Sequence, residues 1–291
     1  MASAQFNGNI SSMLSQVKGR TTQAYGLTYD NLNRLRVSTF ADVNGLGGYT
    51  DDNKYGENIT YADAIGDIAT LKRWGIVYIG LCRDKPIYGV VDQLNYVTTY
   101  KADMTSILSK VEDVSGSDRI FKPVTSNYTY DGISRLVADS GNGMSIAYNG
   151  IALPATISSN NGSTQYVYDL EGKLITKIVS GAGSENGTYS YIGSFIFKGS
   201  DLESYNHEEG RITYSGGQLH KQWFSHDHLG NVRVVYEDLN INNLITENEI
   251  LQVNNFYPFG SRFDEVTIPP ASMSNNRLKY NEKEEQLAEL N

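Results

Sequence analysis

The chain has 291 residues, with 24 Lys and Arg against 33 Asp and Glu, a formal net charge of −9. A balance this acidic argues against a non-specific nucleic-acid binder. Its 40% hydrophobic content argues against a wholly disordered chain. Tyr occurs 21 times, Gly 28 and Asn 26, against only 6 Pro. That bias suits many short strands joined by tight turns rather than a helical bundle.

The opening MASAQFNGNISS has neither the basic nor the apolar region of a signal peptide. The longest apolar run, Gly75–Cys82, falls far short of the roughly 20 residues of a membrane helix. No nucleic-acid binding and no membrane insertion are therefore expected. Cys82 is the single cysteine, which excludes an internal disulfide framework and a cysteine zinc cluster. It reads as a small core hydrophobe.

Taken in chain order, the clearest signal is a repeat. Tyr29-Asp30, Tyr130-Asp131 and Tyr168-Asp169 are each followed by three residues, a basic residue and Leu. Looser versions stand at Tyr61–Ile68 (with one extra residue between Tyr and Asp), Asn95–Leu108, Ser145–Ile157, Arg211–Gly217 and Asp227–Tyr236. Each unit reads as a β-hairpin. Tyr closes one strand, and Asp accepts amide hydrogen bonds that start a turn. The fifth residue, Asn33 or Gly172, suits a left-handed backbone; Ser134 is a poorer choice there. The basic residue and Leu open the returning strand.

The following strands alternate with period two. Lys177 and Val179 share one face of Leu174–Val179, and Tyr189, Tyr191, Phe195 and Phe197 are expected to share one face of Tyr189–Phe197. The stretches 44–56, 158–163 and 180–187 read as hairpin tips. Asp103–Val114 is expected to belong to a bent strand pair rather than a helix. The tail from Asn281 is charged, helix-prone and expected to fray. The expected organisation is 1–265 as repeat sheet and core segment, and 266–291 as a partial core strand and tail.

His226-Asp227-His228 is the one histidine cluster. Two imidazoles on one strand face could share a metal, but a polar turn over Asp227-His228-Leu229-Gly230-Asn231 explains the residues better. Asp30, Asp131 and Asp169 are accounted for by turn chemistry, without catalysis. No nucleophile elbow is present. No cofactor, metal or catalytic residue is expected, and the chain reads as a non-enzyme.

These segments resemble the RHS/YD-repeat family of bacterial polymorphic-toxin shells. The resemblance rests on the three Tyr-Asp units, Gln5–Ser11, Glu57–Gly75, and the ordered series Phe224–Tyr236 (FSHDHLGNVRVVY), Asn254–Gly260 (NNFYPFG) and Asn276–Asn281 (NRLKYN). It implies an all-β fold of consecutive antiparallel hairpins forming a curved β-spiral shell segment. It also implies a structural role in enclosing and delivering a C-terminal toxin, with that cargo and further shell segments as partners. The implied setting is a bacterial protein, exported or on the cell surface. The structural residues it marks are the Tyr-Asp pairs, Gly172, Asp227, His228, Gly230, Asn231, Arg233, Tyr257, Pro258 and Gly260. Tyr280–Glu284 is where the family continues toward an autoproteolysis motif and toxin tip. Neither follows here, so a truncated shell segment is expected. Two other readings stay open: a surface module binding carbohydrate or protein through exposed Tyr rows, and a residual autoprotease.

Overall fold

A computed structural model describes residues 5–43, 49–50, 54–79, 86–101, 105–122, 124–181, 185–263 and 276–284. Among them the fold is all-β, and the only helical elements are two single 3₁₀ turns. The chain divides into two compact units. Unit 1 comprises 1–128 and 255–265, and unit 2 comprises 129–254 and 266–291. The chain thus passes between units three times.

Unit 1 opens with β1 (Ser12–Ser15), β2 (Thr22–Tyr29), β3 (Leu35–Val43), β4 (Tyr49–Thr50), β5 (Glu57–Tyr61), β6 (Ile68–Ile79), β7 (Pro86–Tyr100), β8 (Ser106–Asp113) and β9 (Thr125–Tyr130), whose last two residues are counted in unit 2. Each pairs antiparallel with the next, except that β4 and β5 both pair with β3 rather than with each other. Unit 2 continues with β10 (Leu136–Asp139), β11 (Met144–Tyr148), β12 (Pro154–Ser158), β13 (Gly162–Tyr168), β14 (Leu174–Gly181) and β15 (Gly187–Ile192). Then come β16 (Phe195–Lys198), β17 (Asp201–His207), β18 (Gly210–Ser215), β19 (Gln218–His226), β20 (Val232–Tyr236) and β21 (Ile250–Val253). Each of these pairs antiparallel with the next. A small hairpin, β22 (Asn255–Phe256) with β23 (Arg262–Phe263), belongs to unit 1. Among the described pairings, none closes either run of strands into a barrel.

Alternation decides which side chains are buried. In unit 1, Ile59, Leu71, Leu94 and Val111 stand on successive strands and form one cluster. A second cluster joins Phe40 and Tyr55 to Tyr257 and Phe263 from the late hairpin. Tyr55 and Phe263 stack at 4.0 Å. In unit 2, Val232, Val235 and Leu251 form a smaller cluster, with Leu278 packed against it. Removing Leu71 or Leu94 down to Ala is expected to cost about 2–5 kcal/mol at such sites.

Asp103–Val114 contributes to a strand pair as expected, since β7 and β8 form a long hairpin. Residues 102–104 at its tip, Cys82 and most of the 44–56 linker lie outside the described residues. The expected single strand Tyr189–Phe197 is instead two strands. Gly193, at φ 62°, and Ser194 make a two-residue turn, so Ile192 pairs with Phe195. Tyr189 and Tyr191 therefore lie on the face opposite Phe195 and Phe197. The period-two pattern continues across the turn because Gly193 reverses the chain there without interrupting the alternation of apolar residues. Arg211–Gly217 also departs from the repeat, because Gly216 and Gly217 form a two-residue turn between Ser215 and Gln218. Beyond Asn276, the chain makes a 3₁₀ turn at Tyr280–Glu282 and a bridge between Leu278 and Glu284. Residues 285–291 lie outside the described residues.

Candidate functional site

The Tyr-Asp units share one turn. In each, the amide of the Asp donates to the carbonyl four residues on, and the amide three residues on donates back to the Asp carbonyl. Asp30 does this with Arg34 (2.9 Å) and Asn33 (3.0 Å). Asp131 does so with Arg135 and Ser134, Asp169 with Lys173 and Gly172, and Asp227 with Asn231 and Gly230. Asn149 with Leu153 and Ala152, and Tyr257 with Ser261 and Gly260, repeat it without the aspartate. The fourth residue of every such turn is left-handed: Asn33 (62°), Ser134 (70°), Ala152 (64°), Gly172 (83°), Gly230 (79°) and Gly260 (85°). This is a three-residue hairpin loop ending in a bulge. Pro258 stands at the second position, where its fixed φ suits the turn.

The aspartate side chain fastens the loop from inside. Asp30 Oδ1 accepts from the amides of Leu32 (2.9 Å) and Arg34 (3.0 Å), and Oδ2 from Arg34 Nε (2.7 Å). Asp131 repeats all three bonds with Ile133 and Arg135. Asp169 accepts from the amides of Glu171 and Lys173. In the Asp227 turn, which carries the exposed His228, Asn231 takes the arginine's place and donates through Nδ2 at 2.8 Å. The Arg34 side chain holds the Asp30 carboxyl below its usual range. For Asp131 the Arg135 amide is the larger cause, with its side chain adding to it. The longer Tyr61 turn keeps the same logic, with Asp63 accepting from Gly66 and Asp67 amides.

The tyrosines lock one hairpin to the next. The register slips immediately before Tyr29 and Tyr168, so each faces the Leu that follows the basic residue, Leu35 and Leu174. Tyr61 donates its hydroxyl to the Leu35 carbonyl at 2.8 Å and lies under Arg34, 4.2 Å from the ring centre. Tyr148 does the same with the Leu136 carbonyl at 2.8 Å and with Arg135 at 4.3 Å. Burial pushes the phenols of Tyr29, Tyr130 and Tyr168 upward. The role of Arg34 and Arg135 as a two-way clamp was not legible in the sequence, which offered only a basic residue opening a strand.

The core segments converge in unit 2. Arg233 Nε donates to the Asn254 carbonyl at 2.7 Å, and Asn254 Nδ2 donates to the Val232 carbonyl at 2.8 Å. The Val232 amide donates to the Lys279 carbonyl, and Asn231 Oδ1 accepts from the Asn281 amide at 2.8 Å. Asn231, Asn254 and Asn276 are each at most 2% exposed. Buried amides of this kind must be satisfied, and here they are. Beside them, Arg277 pairs with Glu203 at 2.8 Å, and Lys177 with Glu284. Arg277 also lies 4.5 Å from the centre of the fully buried Tyr189 ring. Burial works to lower the Arg277 pKa, but Glu284 and Glu203 outweigh it.

Tyr257, Pro258 and Gly260 do not join that cluster, since their hairpin packs in unit 1. Tyr257 donates to the Trp74 carbonyl at 2.6 Å, and its ring faces Arg73 at 5.5 Å. Arg73 binds Glu57 at 2.7 Å and Asp92 at 3.0 Å, both carboxylates being fully buried. Burial pushes Glu57 upward against the pull of Arg73. The Tyr257 phenol is also pushed well up by burial. A paired, hydrogen-bonded arginine at this depth has the character of a structural group.

His226 ends β19 and Asp227 begins the turn, so the two flanking histidines do not share a strand face. His220 Nδ1 lies 2.8 Å from Glu237. Among the described residues, no three His, Cys, Asp or Glu side chains gather as a metal cluster. A row of aromatic rings runs along one face of unit 2: Phe197, Phe195, Tyr205, His207 and Trp223, with successive centroids 4.8–6.4 Å apart. Phe195 is 43% exposed.

No family model matches the chain, and no curated protein does. Similar solved structures include a crystal structure of TcdB2-TccC3-Cdc42 (14% identity, TM-score 0.49), which the match covers over 96% of this chain and 18% of that one. A Photorhabdus luminescens Tc holotoxin pore with mutant TccC3 is similar at 14% identity and TM-score 0.47, over 92% of this chain and 16% of that one. TcdB2-TccC3 without its hypervariable C-terminal region is similar at 13% identity and TM-score 0.47, over 90% and 16%. The chain therefore spans less than a fifth of the length of these structures.

Proposed function

We propose that the chain is a wall segment of an RHS-type toxin shell, with a structural and non-catalytic role. In that reading it encloses a C-terminal toxin, joins further shell segments, and acts outside the bacterial cell that makes it. The observation that carries the reading is the recurrence of one turn in successive hairpins, clamped by the same Tyr–Arg contact in both units. Such a unit extends a sheet by repetition, because at Arg34–Tyr61 and at Arg135–Tyr148 one hairpin closes the turn of its neighbour. The convergence of Asp227–Arg233, Asn254 and Asn276–Asn281 supports the same reading. The order of these segments in the sequence resembles the RHS core, and they meet in space.

Reading the DNA on both sides of the native frame tests this. Further Tyr-Asp units upstream and a variable tip downstream are expected. An isolated gene with its own promoter and neither feature would overturn the reading.

The aromatic row of Phe195, Phe197, Tyr205, His207 and Trp223 favours a second reading, a carbohydrate-binding surface. The negative face of an aromatic ring packs against the apolar C–H face of a sugar ring. Retention on a glycan array that Phe195→Ala and Trp223→Ala abolish would support it.

A further inference from the structure

The connection from β20 to β21 contains twelve residues, Asp238–Glu249, whose spacing is that of a cation-binding loop. Oxygen-bearing side chains stand at positions one, three, five, nine and twelve: Asp238, Asn240, Asn242, Thr246 and Glu249. Position seven, Leu244, offers a backbone carbonyl. This is the ligand register of the EF-hand loop, which also needs a sharp turn at position six, usually supplied by glycine. Asn243 occupies position six with a left-handed backbone, φ 60°. Asn is the residue that tolerates this best after glycine.

The loop is shaped by its own side-chain oxygens. Asp238 accepts from the amides of Asn242 (3.1 Å) and Asn243 (2.7 Å). Asn240 accepts from Asn242 at 3.1 Å, and Asn242 from Leu244 at 2.8 Å. Glu249 turns back across the loop. Its Oε1 accepts from the Leu239 amide at 3.0 Å, and its Oε2 from the Thr246 amide and hydroxyl, each at 2.8 Å. The Glu237 amide and Glu249 carbonyl close the base at 3.0 Å.

A separate observation points to a cation. Glu249 is only 2% exposed, yet among the described residues neither it nor Asp238 has a Lys, Arg or His partner. The preceding residue, Glu237, is 7% exposed; one of its carboxylate oxygens lies 2.8 Å from His220 Nδ1 and the other has no hydrogen-bond partner. Donors of the loop itself satisfy the Glu249 carboxylate, so what it lacks is a countercharge. The Glu249 carboxylate takes the Leu239 amide, the Thr246 amide and hydroxyl and the influence of the Asn240 amide, so an ion binds it by displacing one of these donors.

We propose that Asp238–Glu249 binds a calcium ion through Asp238, Asn240, Asn242, the Leu244 carbonyl, Thr246 and Glu249. All these donors are oxygen, several of them neutral amides, which suits calcium rather than zinc. Only two of the ligands are charged. That places the affinity at the weak end of such loops, with a Kd of about 10⁻⁴–10⁻³ M. The bound ion ties β20 to β21, next to the Arg233–Asn254 contacts. The proposal extends beyond the shell reading and does not depend on it. It also departs from the expectation that the chain holds no metal.

The test is titration calorimetry of the whole chain with calcium chloride, paired with thermal melts. One site is expected, with a Tm rise of several degrees at about 10 mM calcium, by mass action. Magnesium at the same concentration should give less than half that rise. Asp238→Asn keeps one of the two amide acceptors and loses the charge, and should weaken binding at least about tenfold. Glu249→Gln should do the same. If it fails to fold, Asn240→Ala with Asp238→Asn carries the test. The proposal is overturned by no heat and no Tm shift in the wild type, or by a shift that both of those variants retain. An equal shift with magnesium overturns the assignment to calcium.

Discussion

Arg34 serves two hairpins at once: its Nε donates to Asp30 at 2.7 Å, and its guanidinium lies 4.2 Å from the centre of the Tyr61 ring. One side chain therefore closes its own turn and holds the next hairpin against it. Arg135 repeats the arrangement with Asp131 and Tyr148. Two copies, one in each unit, make this a property of the repeat.

Coupling between Arg34 and Tyr61 follows directly. Tyr61→Phe removes the bond to the Leu35 carbonyl and should cost roughly 0.5–1.5 kcal/mol. Arg34→Ala removes the cation above the ring and the side-chain bond to Asp30. In a denaturant double-mutant cycle, Arg34→Ala and Tyr61→Ala should show an interaction energy of at least about 0.5 kcal/mol. Simple additivity would mean the two residues are only neighbours.

Turn position four should respond to glycine. Ser134 is held at φ 70°, which costs an ordinary L-residue about 1–2 kcal/mol. Ser134→Gly should recover about 0.5–1 kcal/mol after glycine's entropy is counted. Gly172→Val should be destabilising. The nearest atom to an added Cβ is Leu153 Cδ1 at 3.4 Å, so the cost there is conformational more than steric. Opposite shifts of Tm in the two variants check this, and shifts of the same sign count against it.

Asn254 should be among the costliest polar residues to remove. Asn254→Ala strands the Val232 carbonyl in a buried site and leaves the half-buried Gln252 Nε2 only its 3.4 Å bond to the Asn276 carbonyl. For that one unsatisfied group a loss of about 1–3 kcal/mol is expected by chemical denaturation. A loss below about 1 kcal/mol would show that the core segments are not held together through this residue.

The pH dependence should carry two opposite signs. Glu57 has a folded pKa raised by burial above its ordinary 4.5. Its contribution to stability is thus greatest below that ordinary value and declines as pH rises through the raised one. Asp30 and Asp131 are lowered, so their contribution is present above the ordinary 3.8 and disappears as pH falls through their folded values. Melts of Glu57→Gln against wild type should favour the variant progressively as pH rises above about 4.5. Parallel curves would contradict the burial of an ionisable Glu57.

Much of the fold was legible because the information is local. Tyr29, Asp30, Asn33 and Arg34 lie within one turn, and turn chemistry fixes what each does. Tyr61 acts on Leu35 from 26 residues away, and nothing in the period-two pattern marks that contact. Asn231, Asn254 and Asn281 likewise meet from separations of more than 20 residues. Within Tyr189–Phe197, alternation predicted one strand, but Gly193 reversed the chain and sent Phe195 and Phe197 to the other face. The Asp238–Glu249 register is not marked by histidines or clustered carboxylates, because its middle oxygen-bearing residues are asparagine and threonine.

Electron cryomicroscopy of the complete product of the native locus tests the shell account most directly. The account predicts a hollow β-walled particle, with the strands of this chain in its wall and additional density for a C-terminal segment inside. A particle in which both faces of these strands are open to solvent, with no enclosed volume, would contradict it.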